Sequence, residues 1–117
     1  MYIVTYNEIV GMHEWKNAPE KYKYLSNRHR HVFKIRCWFE VFHADREIEI
    51  NEMQYQIESH IKREFQSNDG CGIDFGEMSC EMICKYIINH FGCAFCEVLE
   101  DGFGGAFVGI NNRRDAD

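Results

Sequence analysis

Along residues 2–13 the chain alternates with a period of two, and Ile3, Thr5, Ile9 and His13 fall on one side. Alternation rich in β-branched and aromatic residues predicts a strand. The stretch 15–24 breaks the pattern: it mixes charge with aromatics and holds the single proline, Pro19. It reads as a connection longer than a hairpin needs, a length at which loops often carry function. Alternation returns over 29–42, a second strand, where His29, His31, Phe33, Ile35, Cys37 and Phe39 share a face.

Asp45-Arg46 makes a turn, residues 47–50 alternate briefly, and then the period lengthens. Met53, Ile57, Ile61 and Phe65 recur every fourth position while Glu52, Glu58, Lys62 and Arg63 point elsewhere, the pattern of a helix with one packed stripe. Asn51 and Gln54 have capping-box spacing, so the helix is expected to begin there. Residues 67–72 have loop composition, and the segment through residue 78 reads as the junction to a second helix. Ser79 is its expected N-cap, with Met78 and Ile83 spaced as a hydrophobic staple and Glu81 favouring the helix dipole. Ile83, Ile87 and Phe91 continue a core stripe that Gly92 ends. Residues 94–100 and 106–110 read as a third and a fourth strand, joined by a glycine-rich hairpin over 101–105. The order strand, strand, helix, helix, strand, strand predicts an α+β fold: a four-stranded antiparallel sheet with two helices on one face. Residues 1–110 form one domain in this reading, and 111–117 a polar, frayed tail.

With 117 residues and 45% apolar content the chain has enough material for one core and little room for an internal ligand cavity. A site completed by a second subunit is therefore expected. A formal charge of −6, with basic and acidic residues interleaved, sets nucleic acid aside as the main partner. No apolar run is long enough to span a bilayer, and residues 1–8 lack the features of a signal peptide, so no membrane partner and a cytoplasmic location are expected. The six cysteines are then expected as thiols. Cys93 and Cys96 form a CxxC, but a strand would put them on opposite faces, which favours packed small residues over a metal or redox pair.

The chemistry concentrates in His29-Arg30-His31. Two imidazoles on one strand face are half of a metal site, and His13, at the end of the first strand, meets the start of the second if the two are antiparallel neighbours. Three neutral imidazoles with an open fourth position are a catalytic-type zinc arrangement. The plainer alternative is three loop-edge histidines bonded to backbone groups. Trp15, Tyr22 and Tyr24, close to His13 in sequence, have the residue types to wall a planar ligand.

A strand-one histidine, a loop, an HxH opening strand two, two helices and a closing hairpin resemble the tunnelling fold of the 6-pyruvoyl-tetrahydropterin and 6-carboxy-tetrahydropterin synthase family. The likeness spans nearly the whole chain. It implies zinc on His13, His29 and His31, a small heterocyclic substrate or nucleotide, and a homo-oligomer joined through sheet edges with sites at subunit interfaces. It also implies that Glu100, ending strand three, anchors the guanidine-like edge of a pterin, a bidentate task for a carboxylate, in the service of a neighbour's zinc. Met78-Ser79-Cys80-Glu81 stands where the family has Pro-Thr-x-Glu, which makes Ser79 and Glu81 ligand-binding candidates. The implied activity is that of a zinc-dependent lyase or synthase acting on a reduced pterin triphosphate or related heterocycle. The chain departs from the pattern in three places. Arg30 replaces the middle glycine of HGH, Leu25 stands where a catalytic cysteine belongs, and the inter-helix junction carries no histidine, only Cys71. Ile73-Asp74-Phe75 matches a family motif out of place and reads as chance. Those losses leave the catalytic residues unassigned and support a second reading, a binding module that captures a purine- or pterin-like nucleotide without chemistry. A purely structural oligomer is the third.

Overall fold

The strong alternation at the start makes a 12-residue strand, β1 (Tyr2–His13), whose odd-numbered side chains turn inward. A 3-10 helix (Glu20–Ser26) occupies the long connection, followed by β2 (His29–Glu40), α1 (Ile50–Glu64), β3 (Ile73–Asp74), α2 (Cys80–Phe91), β4 (Phe95–Glu100) and β5 (Gly104–Gly109). The computed structural model describes residues 1–70 and 72–110. The expected tail, 111–117, and Cys71 lie outside the described residues.

The protein is α+β, with a five-stranded sheet in the order β3-β1-β2-β4-β5. The four long strands are antiparallel neighbours: β1 pairs with β2 from Tyr2↔Glu40 to His13↔His29, β2 with β4, and β4 with β5. The sheet as a whole is mixed, and this corrects the expected four-stranded antiparallel architecture. β3 adds a parallel strand beside Gly11 and Met12. Two residues are too few to show a period, so this strand is silent in sequence; tertiary contact makes it. Ile73 and Phe75 are buried in the core, and Gly11 leaves the space, since a Cβ there would meet Phe75 at 3.2 Å. Ile73-Asp74 is thus a built part of the sheet edge rather than loop, and Phe75 follows it into the core.

The helices cover one face. On α1, Ile57 and Ile61 are fully buried, and on α2 so are Ile83, Cys84 and Ile87. They close over Phe33, Ile35, Cys37, Cys96 and Val98 of the sheet, burial that supplies most of the stabilisation of a small domain. Ser79 caps α2 as expected, its hydroxyl accepting the Met82 N–H at 3.2 Å, and Gly92 ends the helix at φ 75°. The start of α1 differs from expectation. Glu49 is the cap, its carboxylate accepting the Asn51 and Glu52 N–H groups at 3.2 and 3.0 Å. Gln54 is drawn instead to β1, where its side-chain oxygen accepts the Tyr6 N–H at 3.0 Å. Residues 47–50 form no strand, and Glu47 accepts the Phe42 N–H at 2.9 Å in a turn.

Cys93 precedes β4, so strand alternation does not apply to it, and Cys93 and Cys96 are both fully buried. Cys37 and Cys96 face each other across β2 and β4 with sulfurs 4.0 Å apart. Every described cysteine is a free thiol. The second sheet face is open among the described residues and presents Tyr2, Val4, Tyr6, Val10 and Phe107. Among the described residues no helix is long and apolar enough to cross a membrane.

Candidate metal centre

Pairing fixes where the histidines meet. His13 ends β1 directly opposite His29, the first residue of β2, and His31 is opposite Gly11. An i, i+2 step keeps His29 and His31 on one face, and the odd register of β1 puts His13 on that face too. The ring centroids are 4.6 Å apart for His13 and His29, 5.3 Å for His13 and His31, and 5.0 Å for His29 and His31. Phe33, fully buried, floors the group with its ring 5.2 Å from His13 and 5.7 Å from His31.

Each imidazole is held through Nδ1. His13 Nδ1 lies 3.0 Å from the Met78 carbonyl, His29 Nδ1 is 2.7 Å from the Asn27 carbonyl, and His31 Nδ1 is 2.8 Å from Asp101 Oδ2. These partners only accept hydrogen bonds, so Nδ1 donates in every case. In the neutral rings the Nε2 lone pairs are left bare, an assignment that follows from the partners. The ligand atoms of the three lie within 4.8 Å of one another. Carbonyl or carboxylate support behind each ligating histidine is the usual outer shell of a metal site.

The donor set passes a second test of fit. His13 is 8% exposed, and its Nε2 makes no hydrogen bond. Glu100 Oε2 stands 2.9 Å from that nitrogen, out of line for a bond, and Oε1 stands 3.8 Å from His31 Nε2. A lone pair facing a carboxylate oxygen at this range is repulsive unless a cation or proton lies between them. Burial pushes the His13 pKa below the ordinary imidazole range, against the pull of the Met78 carbonyl and Glu100. That favours a neutral donor and leaves room for a metal cation.

Beside the imidazoles opens a cavity of about 530 Å³, walled on its apolar side by Trp15, Leu25, Met78 and Met82. The α2 N-terminus brings Cys80 to this wall; it is 6% exposed. Burial and the adjacent Glu100 carboxylate push its thiol up to about 12, so Cys80 is a protonated neighbour of Glu100. Ser79 and Glu81, singled out in the sequence, both line the cavity. The Ser79 hydroxyl is committed to its helix cap, while Glu81 is exposed. Trp15 stacks on Tyr22 at 6.0 Å, but Tyr24 is 72% exposed and takes no part in the wall.

Glu100 stands at the imidazoles of its own chain, 2.9 Å from His13 Nε2. The β2–β4 register sets Glu100 opposite Phe33, two residues from His31 on the same face. Sequence reasoning missed Asp101 and Cys80. Asp101 carried a weak signal: a lone acid in a hairpin, tolerant of its φ of 56°. The remaining histidines lie away from the centre. His43 is exposed beside Glu47 at 3.7 Å, and His60 stacks on His90 with centroids 3.7 Å apart.

No protein-family model matches the chain, and no curated protein matches it.

Proposed function

We propose that the protein is a zinc-dependent, pterin-synthase-like protein that binds a reduced pterin or related amino-pyrimidinone heterocycle in the cavity beside His13, His29 and His31. The carrying observation is the set of three imidazoles with one ligand nitrogen each gathered within 4.8 Å, and each ring anchored at Nδ1 by an acceptor. Three neutral imidazole nitrogens suit zinc, and a bound zinc ion supplies Lewis-acid polarisation of a substrate oxygen. His13, His29 and His31 would hold it. Glu100 lines the cavity at its inner end and offers two acceptor oxygens to a heterocycle's N–H edge. Trp15, Leu25, Met78 and Met82 exclude water and offer apolar area to a planar ring. Cys80, whose thiol burial and the Glu100 carboxylate keep protonated, can hold a proton at Sγ on the same wall.

The tunnelling fold is part of this reading. It is supported by the antiparallel β1-β2-β4-β5 order, the two helices on one face, and the open β5 edge. An edge unpaired, beside an apolar sheet face uncovered, among the described residues favours a homo-oligomer joined edge to edge. One observation favours the non-catalytic alternative: Leu25, which cannot transfer a proton, lines the cavity where the resemblance places a catalytic thiol.

Native mass spectrometry of the purified full chain tests the proposal. The expected result is a homo-oligomer with one zinc per chain, and a His29→Ala variant that loses the metal. A metal-free protein that still turns over or binds a pterin would sink it. Product formation from a reduced pterin decides for the enzyme, and retention without product decides for the binding module.

A further inference from the structure

The wall of the cavity carries four carboxylates, those of Glu14, Glu77, Glu81 and Glu100, and no lysine or arginine among the described residues. Its histidines, His13 and His29, present bare Nε2 lone pairs, for the reason given by their Nδ1 partners. The side-chain groups facing the space are therefore almost all acceptors. The nearest lysine in sequence, Lys16, reaches back to Glu14 at 4.0 Å, and Arg28 is paired with Asp74 at 3.2 Å. The α2 N-terminus points its backbone N–H groups this way, but Ser79 Oγ occupies the Met82 N–H. Glu81 lies in the first turn of the helix and already answers its dipole. A divalent cation on the imidazoles would still leave the wall with an excess of two negative charges.

A buried atom at the same wall points the same way. His13, 8% exposed, lines the cavity with its Nε2 making no hydrogen bond and with Glu100 Oε2 standing 2.9 Å from it. Two acceptors set face to face call for positive charge or N–H donors in this space.

We infer that the cavity takes an unphosphorylated planar ring bearing amino or guanidine-like N–H donors, neutral or cationic, and discriminates against the same ring carrying a phosphate chain. This rests on reading the cavity as a heterocycle site. Donors meet acceptors at Glu100 and the acidic rim, and the ring lies against Trp15, Met78 and Met82. A triphosphate brings about four further negative charges and finds no guanidinium or ammonium to receive them. Juxtaposed like charges reject a partner more sharply than matched contacts select one.

The test compares neopterin with neopterin triphosphate on the full-length protein as purified, by calorimetry and tryptophan fluorescence at fixed salt. Neopterin is expected to bind at least tenfold more tightly. In a Glu77→Lys/Glu81→Lys variant, changed only at exposed positions, the preference is expected to move toward the triphosphate by at least tenfold. Equal or tighter binding of the triphosphate to the unmodified protein overturns this inference and leaves the heterocycle reading standing. Binding of neither compound overturns both. A double variant that keeps its fold by circular dichroism and shows unchanged discrimination also overturns the inference, because the rim charge would then not be its source.

Discussion

Asp101 braces His31 from behind: its Oδ2 lies 2.8 Å from His31 Nδ1, and its Oδ1 accepts the Val32 N–H at 2.8 Å. One carboxylate thus fixes both the tautomer of the imidazole and the backbone beside it. The same two contacts hold the Asp101 carboxyl below the usual carboxylate range. Asp101→Asn keeps the shape and weakens the acceptor. The expected outcome is a 10- to 100-fold loss of zinc affinity in a chelator competition, the usual scale for such a support, with the far-ultraviolet spectrum unchanged. Unaltered affinity would mean that His31 is oriented by its strand alone.

Metal binding and folding should be linked through β1 and β2. The imidazoles converge only because His13 and His29 are paired residues, so the unfolded chain has no preformed site. With free zinc at a hundred times its dissociation constant, linkage stabilises the folded state by about 2.7 kcal/mol. For a domain of this size that corresponds to roughly 10 °C in Tm. Chelation should remove the increment and zinc restore it. His29→Ala, at a half-buried position whose Nδ1 bonds only to a nearby carbonyl, should remove the zinc response.

The elements with a long period were legible in the sequence, and those made by contact were not. β1, β2 and α2 announced themselves through alternation, a four-residue stripe, and the Ser79 and Gly92 caps, because burying one face demands a regular spacing. The convergence of His13 with His29 and His31 followed from that same regularity, one antiparallel pair deep. β3 lies beyond this reach: two residues beside Gly11 carry no period. Glu49 displaced Asn51 as the α1 cap because a glutamate can also reach free N–H groups, a competition that spacing does not decide. Asp101 and the Met78 carbonyl were hidden for another reason. Their partners are 70 and 65 residues away, and a carbonyl has no residue type to read.

Acid should loosen the helix pair at His60. This residue is 7% exposed, and its Nδ1 accepts from Arg63 at 3.4 Å while Nε2–H donates to the Tyr86 hydroxyl at 2.7 Å, so both nitrogens suit the neutral ring. Protonation would set a second charge against Arg63 and against the stacked His90, with only Glu64 in opposition. Burial, followed by His90, accordingly lowers the His60 pKa from 6.5. A depressed base binds its proton more tightly in the unfolded chain. The stability it confers is therefore full above the unfolded value and is lost as pH falls from about 7 toward 5. In the presence of a chelator, His60→Asn should show a flatter dependence of Tm on pH than the unmodified protein over this window. Parallel curves would place the acid sensitivity elsewhere.

Adjacent glycines in the closing hairpin should respond oppositely to the same change. A Cβ on Gly105 would run into the Val98 carbonyl oxygen and the Leu99 Cα, whereas one on Gly104 would meet nothing within 4 Å. The obstacle at Gly105 is backbone of β4, which cannot swing aside as a side chain could, so β5 would have to move off the strand with which it pairs. Gly105→Ala should cost roughly 1–3 kcal/mol, the scale of forced overpacking. Gly104→Ala should stay within about 0.5 kcal/mol, as exposed substitutions do. Denaturant melts of the two variants give the comparison. Because Gly105 also lines the cavity beside Glu100, the displaced strand should weaken ligand capture in Gly105→Ala even at temperatures where the protein remains folded. Retained capture in a destabilised Gly105→Ala protein would assign this close approach to strand pairing alone.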